Sequence, residues 1–402
     1  MAETKKHILI FSHAMELGGA ERALLGLLHS FDYSKFDVDL FLMRHEGALM
    51  EMIPQEVNLL PEVREYTGLA VPFKSILKKR LFGIAFGRLR AKLKAKAFLR
   101  RHPVRGDNAV ELEYSHKYTC KFMPAVEKKE YDLAISFLTP HYFVAQKVNA
   151  KKRIAWIHTD YSTLSVDVES ELKMWDKYDY IASISDDCTK SFLSVFPSLQ
   201  NKIVLIENMI SPTLVKKQAK AFQPDWNSGD SKIVLSVGRF CFQKNFDNVP
   251  DICRRIIENG LNIKWYLIGF GSGEKQIQEN IERSGMQDRV FILGKKTNPY
   301  PYMENCNVYI QPSRYEGKAV TVREAQILGK PVIITDYPTA WSQIENGIDG
   351  VIVPMENENC AKEITRILRD QDLLQTLENN CRQKNYNNAF EVEKLYSIIG
   401  LQ

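Results

Sequence analysis

The sequence predicts an α/β protein made of two doubly wound domains. Three observations support this: a length of 402 residues, short continuous apolar runs separated by amphipathic stretches, and a restart of that rhythm after the polar, turn-rich segment 213–231. A chain of this length exceeds one ordinary core, and two domains of roughly 150–200 residues are expected. Continuous apolar runs are typical of parallel strands buried on both faces, and their alternation with helices is typical of doubly wound sheets.

The first half of the chain contains six such runs. They predict strands at Ile8–Ser12, Val38–Met43, Leu133–Phe137, Arg153–His158, Tyr180–Ser185 and Ile203–Glu207. Amphipathic stretches between them, such as Ala20–Ser30 and Asp187–Val195, predict the crossover helices. The first half therefore reads as one Rossmann-like domain over residues 1–210.

The second half repeats the pattern. Its runs predict strands at Ile233–Val237, Trp265–Ile268, Val290–Leu293, Val308–Gln311, Val332–Thr335 and Val351–Val353. We assign a second Rossmann-like domain to residues 211–385 and a final helix to 386–402. Two similar α/β domains are expected to face each other across a cleft, which is the default place for a site.

An insertion at about 65–125 interrupts the rhythm of the first domain. From Lys74 to Arg105 it contains 12 Lys or Arg and no Asp or Glu, although the whole chain has a net charge of only +5. Apolar residues recur at helical spacing on one face, and basic residues fill the others. This pattern predicts a basic amphipathic helix.

Composition indicates the cellular location of the protein. We expect no transmembrane helix, because no apolar stretch is long enough, and no signal peptide, because only the short run Ile8–Phe11 follows Lys5 and Lys6. The seven cysteines form no CxxC pair, which indicates reduced thiols in the cytoplasm and no metal site.

Two glutamates follow the run Val308–Gln311. Glu316 lies in the loop at the carboxyl end of that predicted strand, where open α/β sheets bind ligands, and Glu324 lies in the helix that follows. A carboxylate at the second position can accept both hydroxyls of a ribose. The start of the helix, at Gly317, Lys318, Ala319 and Val320, is expected to offer free N–H groups to a diphosphate. The alternative is a pair of solvated glutamates.

Basic and glycine-rich loops follow two other predicted strands. Arg239 and Lys244 come after Ile233–Val237 and could hold a diphosphate, or could be surface charges. Gly269 and Gly271 belong to a turn that lacks the full dinucleotide fingerprint, so it is a weak signal and could only allow close packing.

The first domain offers candidates at the same kind of position. Gly18 and Gly19 open its first helix and would let a ligand approach the backbone, although a plain loop is equally consistent with them. His158 ends another predicted strand and suits a contact to a sugar hydroxyl or an acceptor; a lone histidine is otherwise structural.

Taken in order, these segments resemble the retaining glycosyltransferase family 4, which has the GT-B fold. The matching segments are Gly-Gly-Ala-Glu-Arg at 18–22, His158, Val237–Lys244, Ile-Gly-x-Gly at 268–271, Glu316-x7-Glu324 and Gly-Lys-Pro-Val-Ile at 329–333. The forms Tyr-Glu-Gly-Lys at 315–318 and Trp-Ile-His-Thr-Asp-Tyr at 156–161 look like the subgroup of bacterial capsule, teichoic acid and other surface-polymer glycosyltransferases.

The resemblance implies a role for each matched residue. Glu316 would contact the donor sugar, Glu324 the ribose, and Arg239 and Lys244 the leaving diphosphate. Gly19 would let the first loop reach the donor, and His158 would lie beside the sugar and the acceptor. Lys296 and Thr297 would lie near the base. No cofactor or metal is expected, because the nucleotide-sugar is itself the substrate.

The resemblance leaves the donor open. Lys318 and Ala319 stand where many family members have an aromatic residue and a glycine, so the donor sugar is undetermined. UDP is expected from its frequency in the family, with GDP and ADP as alternatives. An epimerase, or a protein that only binds sugar nucleotides or anionic polymers, is the alternative function on the same fold.

The basic insertion suits an enzyme with a glycan or lipid-linked acceptor at a membrane. We expect Lys78, Lys79, Arg88, Lys92 and Lys96 to contact an anionic membrane from its cytoplasmic face. The competing interpretations are a solvated helix whose apolar face covers the domain, and a nucleic-acid-binding segment. No nucleic-acid module accompanies the segment, so no nucleic-acid partner is expected.

Overall fold

The chain folds into two compact units. The computed structural model describes residues 5–16, 18–102, 107–226 and 229–400. The first unit comprises Met1–Met209 with Ala389–Gln402, and the second comprises Ile210–Asn388. The segment predicted as a separate C-terminal helix therefore belongs largely to the first unit.

All twelve predicted strands are present within the described residues, with boundaries shifted by a few residues. The strands are β1 (Lys6–Ser12), β2 (Phe36–Leu42), β3 (Asn58–Leu59), β4 (Asp107–Asn108), β5 (Tyr131–Ser136), β6 (Ala150–Ile157), β7 (Leu164–Ser165), β8 (Tyr180–Ser183), β9 (Ile203–Leu205), β10 (Lys232–Val237), β11 (Ile263–Ile268), β12 (Val290–Gly294), β13 (Val308–Gln311), β14 (Val332–Thr335) and β15 (Val351–Val353). The short strands β3, β4 and β7 have no counterpart in the prediction.

Helices connect the strands. They are α1 (Gly19–Leu28), α2 (Arg64–Thr67), α3 (Phe73–Lys78), α4 (Phe82–Leu99), α5 (Val110–Thr119), α6 (Tyr142–Lys147), α7 (Val168–Trp175), α8 (Asp186–Val195), α9 (Pro212–Ala219), α10 (Val249–Glu258), α11 (Glu274–Arg283), α12 (Tyr300–Asn305), α13 (Val320–Ile327), α14 (Ala340–Gln343), α15 (Asn357–Arg369), α16 (Gln371–Gln383) and α17 (Glu393–Ile398). Within the described residues, the insertion at about 65–125 contains α3, α4 and α5, together with most of α2 and the short strand β4.

Each unit contains one parallel sheet. The first sheet has the order β3-β2-β1-β5-β6-β8-β9 and the second the order β12-β11-β10-β13-β14-β15. In each, the chain winds outward from a central strand in one direction and then in the other. The order reverses between β1 and β5 in the first unit and between β10 and β13 in the second. The predicted α/β, doubly wound fold is confirmed.

The continuous apolar runs arise because both faces of each sheet are covered. In β1, Ile8 and Ile10 pack into one core while Leu9 and Phe11 pack into another. Burying a large apolar side chain of this kind contributes roughly 1.5–3 kcal/mol. Strands of this type fix the loops at their carboxyl ends, which is where open α/β sheets bind ligands.

Candidate active site

The candidate site of the second unit lies where its strand order reverses. Strands β10 and β13 are hydrogen-bonded neighbours, with Val234 opposite Val308 and Leu235 opposite Tyr309. The loop after β10 carries Arg239 and Lys244, and the loop after β13 carries Glu316. The topology therefore brings together residues that are about 70 positions apart in sequence.

Lys244 and Glu316 form an ion pair in this site. The ammonium Nζ of Lys244 lies 2.5 Å from Oε1 of Glu316. The Ser313 hydroxyl also donates to Oε1 at 2.6 Å, and the Gln243 side-chain amide donates to Oε2 at 3.1 Å. Glu316 is only 5% exposed. A carboxylate this deep is stable because its oxygens are hydrogen-bonded and its charge is paired.

A second ion pair ties the two loops together. The Arg314 guanidinium donates two hydrogen bonds to the Asp247 carboxylate, at 2.9 and 2.7 Å. The Arg314 backbone N–H donates to the Gln243 carbonyl at 2.8 Å. This two-pronged geometry fixes orientation as well as distance. It holds the loop that carries Lys244 against the loop that carries Glu316.

The sequence analysis did not identify these supporting residues. Arg314 and Asp247 are 67 positions apart, and neither belongs to a recognisable spacing pattern. The proximity of Arg314 to Glu316 in sequence is the only signal that could have indicated it. Arg239, which was predicted to join the site, is exposed at the end of β10.

Glu324 occupies a buried position inside α13. It is 1% exposed, and the hydroxyl of Tyr300 donates to its Oε1 at 2.6 Å. Tyr300 is the first residue of α12. The alternative of two solvated glutamates is therefore wrong, because Glu316 and Glu324 are both buried and both hydrogen-bonded.

The start of α13 differs from the prediction. We expected its backbone N–H groups to be free, but the N–H of Ala319 donates to Oε1 of Gln343 at 2.6 Å. Gln343 is the last residue of α14 and is buried. A phosphate oxygen could reach this N–H only if the Gln343 side chain turned away. Gly317 and Val320 beside it are buried, and Lys318 is half-buried.

The glycine-rich turn after β11 packs against the loop after β10. A Cβ atom at Gly269 would lie 1.9 Å from the Gly238 carbonyl oxygen, and one at Gly271 would lie 2.4 Å from that of Phe240. Gly271 also has φ +152°. Close packing therefore accounts for the glycines at both positions. This was the alternative to ligand binding that the sequence analysis gave for the turn.

Lys296 and Thr297 lie farther along the sheet edge. They follow β12, which is two strands away from β10. Thr297 is exposed, and the Lys296 ammonium lies 5.8 Å from the centre of the Tyr302 ring.

The first unit places its predicted residues at a corresponding edge. Gly18 is the N-cap of α1 and Gly19 is its first residue and is exposed. They follow β1, next to the point where the strand order reverses. His158 follows directly after β6, two strands from β1.

His158 is one of four neighbouring histidines, and the other three were not predicted; His116 and His141 are buried, and His13 and His158 are half-buried. Each has a ring nitrogen that is inaccessible to solvent and without a hydrogen-bond partner among the described residues. The set comprises His13 after β1, His116 on α5, His141 after β5, and His158. The rings of His13 and His116 are 5.5 Å apart. Within the described ranges, no three His, Cys, Asp or Glu side chains are arranged to hold a metal ion.

Burial keeps these histidines neutral. It lowers the pKa of His13 to about 4, with a smaller contribution from Arg44, and it lowers the pKa of His158 to about 3. The pKa values of His116 and His141 fall well below the ordinary value, first through burial and then through the neighbouring histidines. At neutral pH the cluster can therefore donate and accept hydrogen bonds without carrying charge.

Two more buried polar groups of the first unit are unpaired within the described part of the chain, one at the end of β1 and one on α5. The Ser12 hydroxyl and Glu113 Oε2 also have no partner among the described residues. Each orphaned buried group costs about 1–3 kcal/mol. Such a concentration of unpaired polar atoms is typical of a site that a ligand or ordered water completes.

The predicted membrane-facing cations divide into two groups. Lys78, Lys79, Lys92 and Lys96 are exposed. Arg88 is not directed outward as expected: its guanidinium donates to the Val71 carbonyl at 2.6 Å, and burial lowers its pKa. Arg88 therefore fastens α4 to the loop before α3. None of the helices within the described residues has the length and apolarity needed to span a bilayer.

Comparison with known proteins gives a family match in the second unit. Residues 218–384 match the family described as glycosyl transferases group 1. The chain is 29% identical over 182 residues to an uncharacterised glycosyltransferase of Methanocaldococcus jannaschii, covering 43% of each protein. It is 27% identical over 238 residues to a capsular polysaccharide biosynthesis glycosyltransferase of Staphylococcus aureus, covering 53% of this chain and 62% of that one. These matches span less than two thirds of the length of either relative.

Solved structures share the fold of the entire chain. TarM of S. aureus matches with a TM-score of 0.70 at 15% identity, covering 99% of both chains. Anabaena HepE, solved in complex with UDP and glucose, matches with a TM-score of 0.68 at 15% identity, covering 98% of this chain and 99% of that one. The protein thus has the GT-B fold that the sequence predicted.

Proposed function

We propose that this protein is a retaining glycosyltransferase, because residues 218–384 match the family described as glycosyl transferases group 1. It transfers a sugar from a nucleotide-sugar, with UDP as the expected nucleotide, to a glycan or lipid-linked acceptor in cell-surface glycan synthesis. The observation that carries the proposal is the buried Lys244–Glu316 pair at the reversal point of the second sheet. Its position is the one at which open α/β sheets bind ligands.

The donor half of the reaction is assigned to the second unit. Glu324, buried and held by Tyr300, would accept the ribose hydroxyls. Glu316 would bind hydroxyls of the donor sugar, and Lys244 with Arg239 would stabilise the diphosphate as it leaves. UDP is supported by the solved structures of the same fold, since TarM and HepE were each crystallised with UDP.

The chemical step follows from the charges. The bond between the anomeric carbon and the diphosphate oxygen breaks, leaving positive charge on the sugar and negative charge on the phosphate. The acceptor oxygen bonds to the same carbon from the same face, and its proton passes to the leaving diphosphate. Lys244 and Arg239 act on the growing negative charge, which is the part of the transition state that fixed cations stabilise best. We propose that these two cations suffice without a metal.

Lys244 is positioned for this role by the carboxylate it binds. In the free protein its charge is balanced by Glu316 within 2.5 Å. A bound donor offers Lys244 a phosphate oxygen and offers Glu316 a sugar hydroxyl. The pair would therefore keep both groups ordered and desolvated until the donor replaces the contact between them, so that little reorganisation is needed during the reaction.

The acceptor half is assigned to the first unit. Its neutral histidines and the Ser12 hydroxyl can exchange hydrogen bonds with the hydroxyl groups of a glycan, because the pKa of each of the four rings lies below neutral pH. Two similar proteins from S. aureus support a cell-surface glycan as the acceptor. One is named for capsular polysaccharide biosynthesis and the other for α-N-acetylglucosaminyl transfer to poly(ribitol-phosphate).

A donor panel tests the proposal. Purified protein is incubated with UDP-, GDP- and ADP-sugars and a membrane extract as crude acceptor, and release of nucleoside diphosphate is measured with and without EDTA. We expect release from one donor, insensitivity to EDTA, and loss in Glu316→Ala but not in Glu258→Ala, an exposed glutamate of the same unit. Release that requires a divalent cation would contradict metal independence. Conversion of the donor without any acceptor would instead indicate an epimerase.

A further inference from the structure

Helix α4 turns its smallest residues toward the protein. Gly83, Gly87, Ala91 and Ala95 recur every four positions, and Gly87, Ala91 and Ala95 are buried. A Cβ atom at Gly87 would lie 2.8 Å from both the Thr119 side chain and the Tyr118 carbonyl oxygen. The small residues thus allow α4 to pack closely on the α5 region.

The opposite face of α4 presents large apolar residues to solvent. Phe82, Phe86, Leu89 and Leu93 are 64%, 56%, 51% and 62% exposed. At 100° per residue they fall within about 60° of one another, on the side opposite Ala91 and Ala95. A solvated helix has the reverse arrangement, with large apolar residues inside and polar residues outside.

Helix α3 extends the same apolar surface in sequence. Phe73 and Leu77, one turn apart, are 41% and 44% exposed. Of the fourteen large apolar residues exposed in the described part of the chain, six lie between positions 73 and 93. Such clustering indicates a binding surface, because single exposed apolar residues are normal whereas large contiguous patches are rare. We name Phe73, Leu77, Phe82, Phe86, Leu89 and Leu93 the apolar ridge.

Positive charge borders the apolar ridge on both sides. By helical position, Lys92 and Lys96 flank it on one side and Arg90 and Lys94 on the other, and all four are exposed. Acidic residues are absent from the whole sequence between positions 74 and 105. Apolar residues along one line with cations beside them match the interface of an anionic bilayer, where acyl chains lie beneath charged headgroups.

We propose that α3 and α4 form a membrane-docking surface. The apolar ridge inserts at the level between headgroups and acyl chains of an anionic bilayer, with the helix axis of α4 parallel to the membrane and the flanking lysines on the headgroups. An 18-residue helix lying flat would cover about 27 Å of membrane. This surface goes beyond the transfer reaction and does not depend on the donor site.

The lipid bilayer fits better than a protein partner. A protein interface usually depletes lysine at its centre and carries mixed charges at its rim, whereas this surface has cations only. Each lysine or arginine near an anionic leaflet contributes roughly a fivefold gain in partitioning, less when salt screens it. Binding should therefore need both the apolar ridge and anionic lipid.

Vesicle flotation of the full chain tests the proposal. Wild-type protein should float with vesicles of phosphatidylglycerol and phosphatidylcholine at 3:7, and at least tenfold less with pure phosphatidylcholine. The variant Phe86→Ser, Leu89→Ser, Leu93→Ser should lose at least tenfold in binding to the anionic vesicles. Lys92→Gln, Lys94→Gln, Lys96→Gln should also weaken binding and reduce its dependence on salt.

A matched control removes the same number of exposed apolar residues elsewhere. Trp341→Ser, Ile348→Ser, Phe390→Ser changes residues that are 65%, 44% and 62% exposed and should bind vesicles as wild type does. Thermal unfolding of every variant is measured to check that the fold is retained. UDP binding is measured separately by calorimetric titration. Failure of membrane docking can therefore be distinguished from failure of the proposed transfer activity.

Three outcomes would overturn the proposal. One is the absence of wild-type binding to anionic vesicles at low salt. Another is that the apolar-ridge variant (Phe86→Ser, Leu89→Ser, Leu93→Ser) binds anionic vesicles as strongly as wild type does. That result would show that the cations alone account for vesicle binding. The third is a wild-type oligomer that the apolar-ridge variant disrupts, without vesicle binding by either protein. Salt-sensitive retention on DNA without vesicle binding would favour the nucleic-acid alternative instead.

Discussion

Lys244 Nζ lies 2.5 Å from Glu316 Oε1, although the two residues are 72 positions apart in the chain. Both side chains are mostly buried, at 15% and 6% exposure. The two residues form a charge pair within one site. Removing either side chain leaves the opposite charge of the other buried without its partner.

The first prediction concerns this pair. Lys244→Met and Glu316→Gln should each abolish detectable transfer, and Lys244→Met should destabilise the second unit by about 3–5 kcal/mol, because it leaves the charge of Glu316 buried without its partner. The double variant should be more stable than Lys244→Met, since no uncompensated charge remains. Denaturant unfolding of the single and double variants measures this. Additive losses would show that the two charges are independent.

The second prediction concerns the Arg314–Asp247 contact. Arg314→Lys keeps the charge but cannot make two parallel hydrogen bonds. We expect kcat to fall at least tenfold because the loop that carries Lys244 loses its fixed position, with stability nearly unchanged. Arg382→Lys, in the exposed pair with Glu378, is the control and should retain full activity. An unchanged kcat in Arg314→Lys would show that the Arg314–Asp247 contact does not position Lys244 for catalysis.

The third prediction assigns Glu324 to nucleotide binding. A hydrogen bond to a charged group contributes about 1.5–3 kcal/mol, so Glu324→Gln should raise the KM for the donor roughly ten- to 150-fold. Tyr300→Phe should raise it less, because the carboxylate remains but is less firmly oriented. Calorimetric titration with UDP checks both variants. Equal UDP affinity in wild type and Glu324→Gln would contradict the assignment.

The fourth prediction concerns acid stability. The folded pKa values of His13, about 4, and His158, about 3, lie below the ordinary value of 6.5. Their contribution to stability is therefore fully present above pH 6.5 and is lost as the pH falls from 6.5 toward 4 and 3. Unfolding free energy measured across this range should fall less steeply in His13→Gln and His158→Gln. Parallel profiles in wild type and both variants would contradict this prediction.

The fifth prediction concerns Glu171, a buried residue of α7, whose contribution to stability changes with pH in the opposite direction. Burial, with a smaller contribution from Glu113, raises the pKa of Glu171 from 4.5 to about 8. Its contribution to stability is present below pH 4.5 and is lost as the pH rises from 4.5 to 8. The stability of Glu171→Gln relative to that of wild type should therefore be higher at pH 8.5 than at pH 4. A pH-independent difference in thermal unfolding would contradict a raised pKa.

The sequence indicated the strands well because their signal is local. Runs such as Val308–Gln311 are apolar on both faces and end at turns, so periodicity alone locates them. Strand β3 and strand β4 have two residues each, which is too short for any period to appear. The positions of the loops that follow these strands were therefore predictable, and Lys244, Glu316 and His158 lie in such loops.

Side-chain partners were not predictable in the same way. Nothing in the sequence relates Arg314 to Asp247, or Gln343 to the N–H of Ala319, because each contact depends on how two loops meet. The orientation of α4 was ambiguous for a different reason. The helix has two apolar faces, one of small residues and one of Phe and Leu, and hydrophobicity alone assigns the larger residues to the interior.

The most direct test of the central claim is transfer of a labelled sugar. The donor identified by the panel is supplied with label in its sugar, and label in the acceptor is measured together with nucleoside diphosphate. We predict one labelled acceptor for each diphosphate released by wild type, retention of the anomeric configuration, and neither product with Glu316→Gln. Bound donor that is never transferred, or that is epimerised without entering an acceptor, would contradict the account.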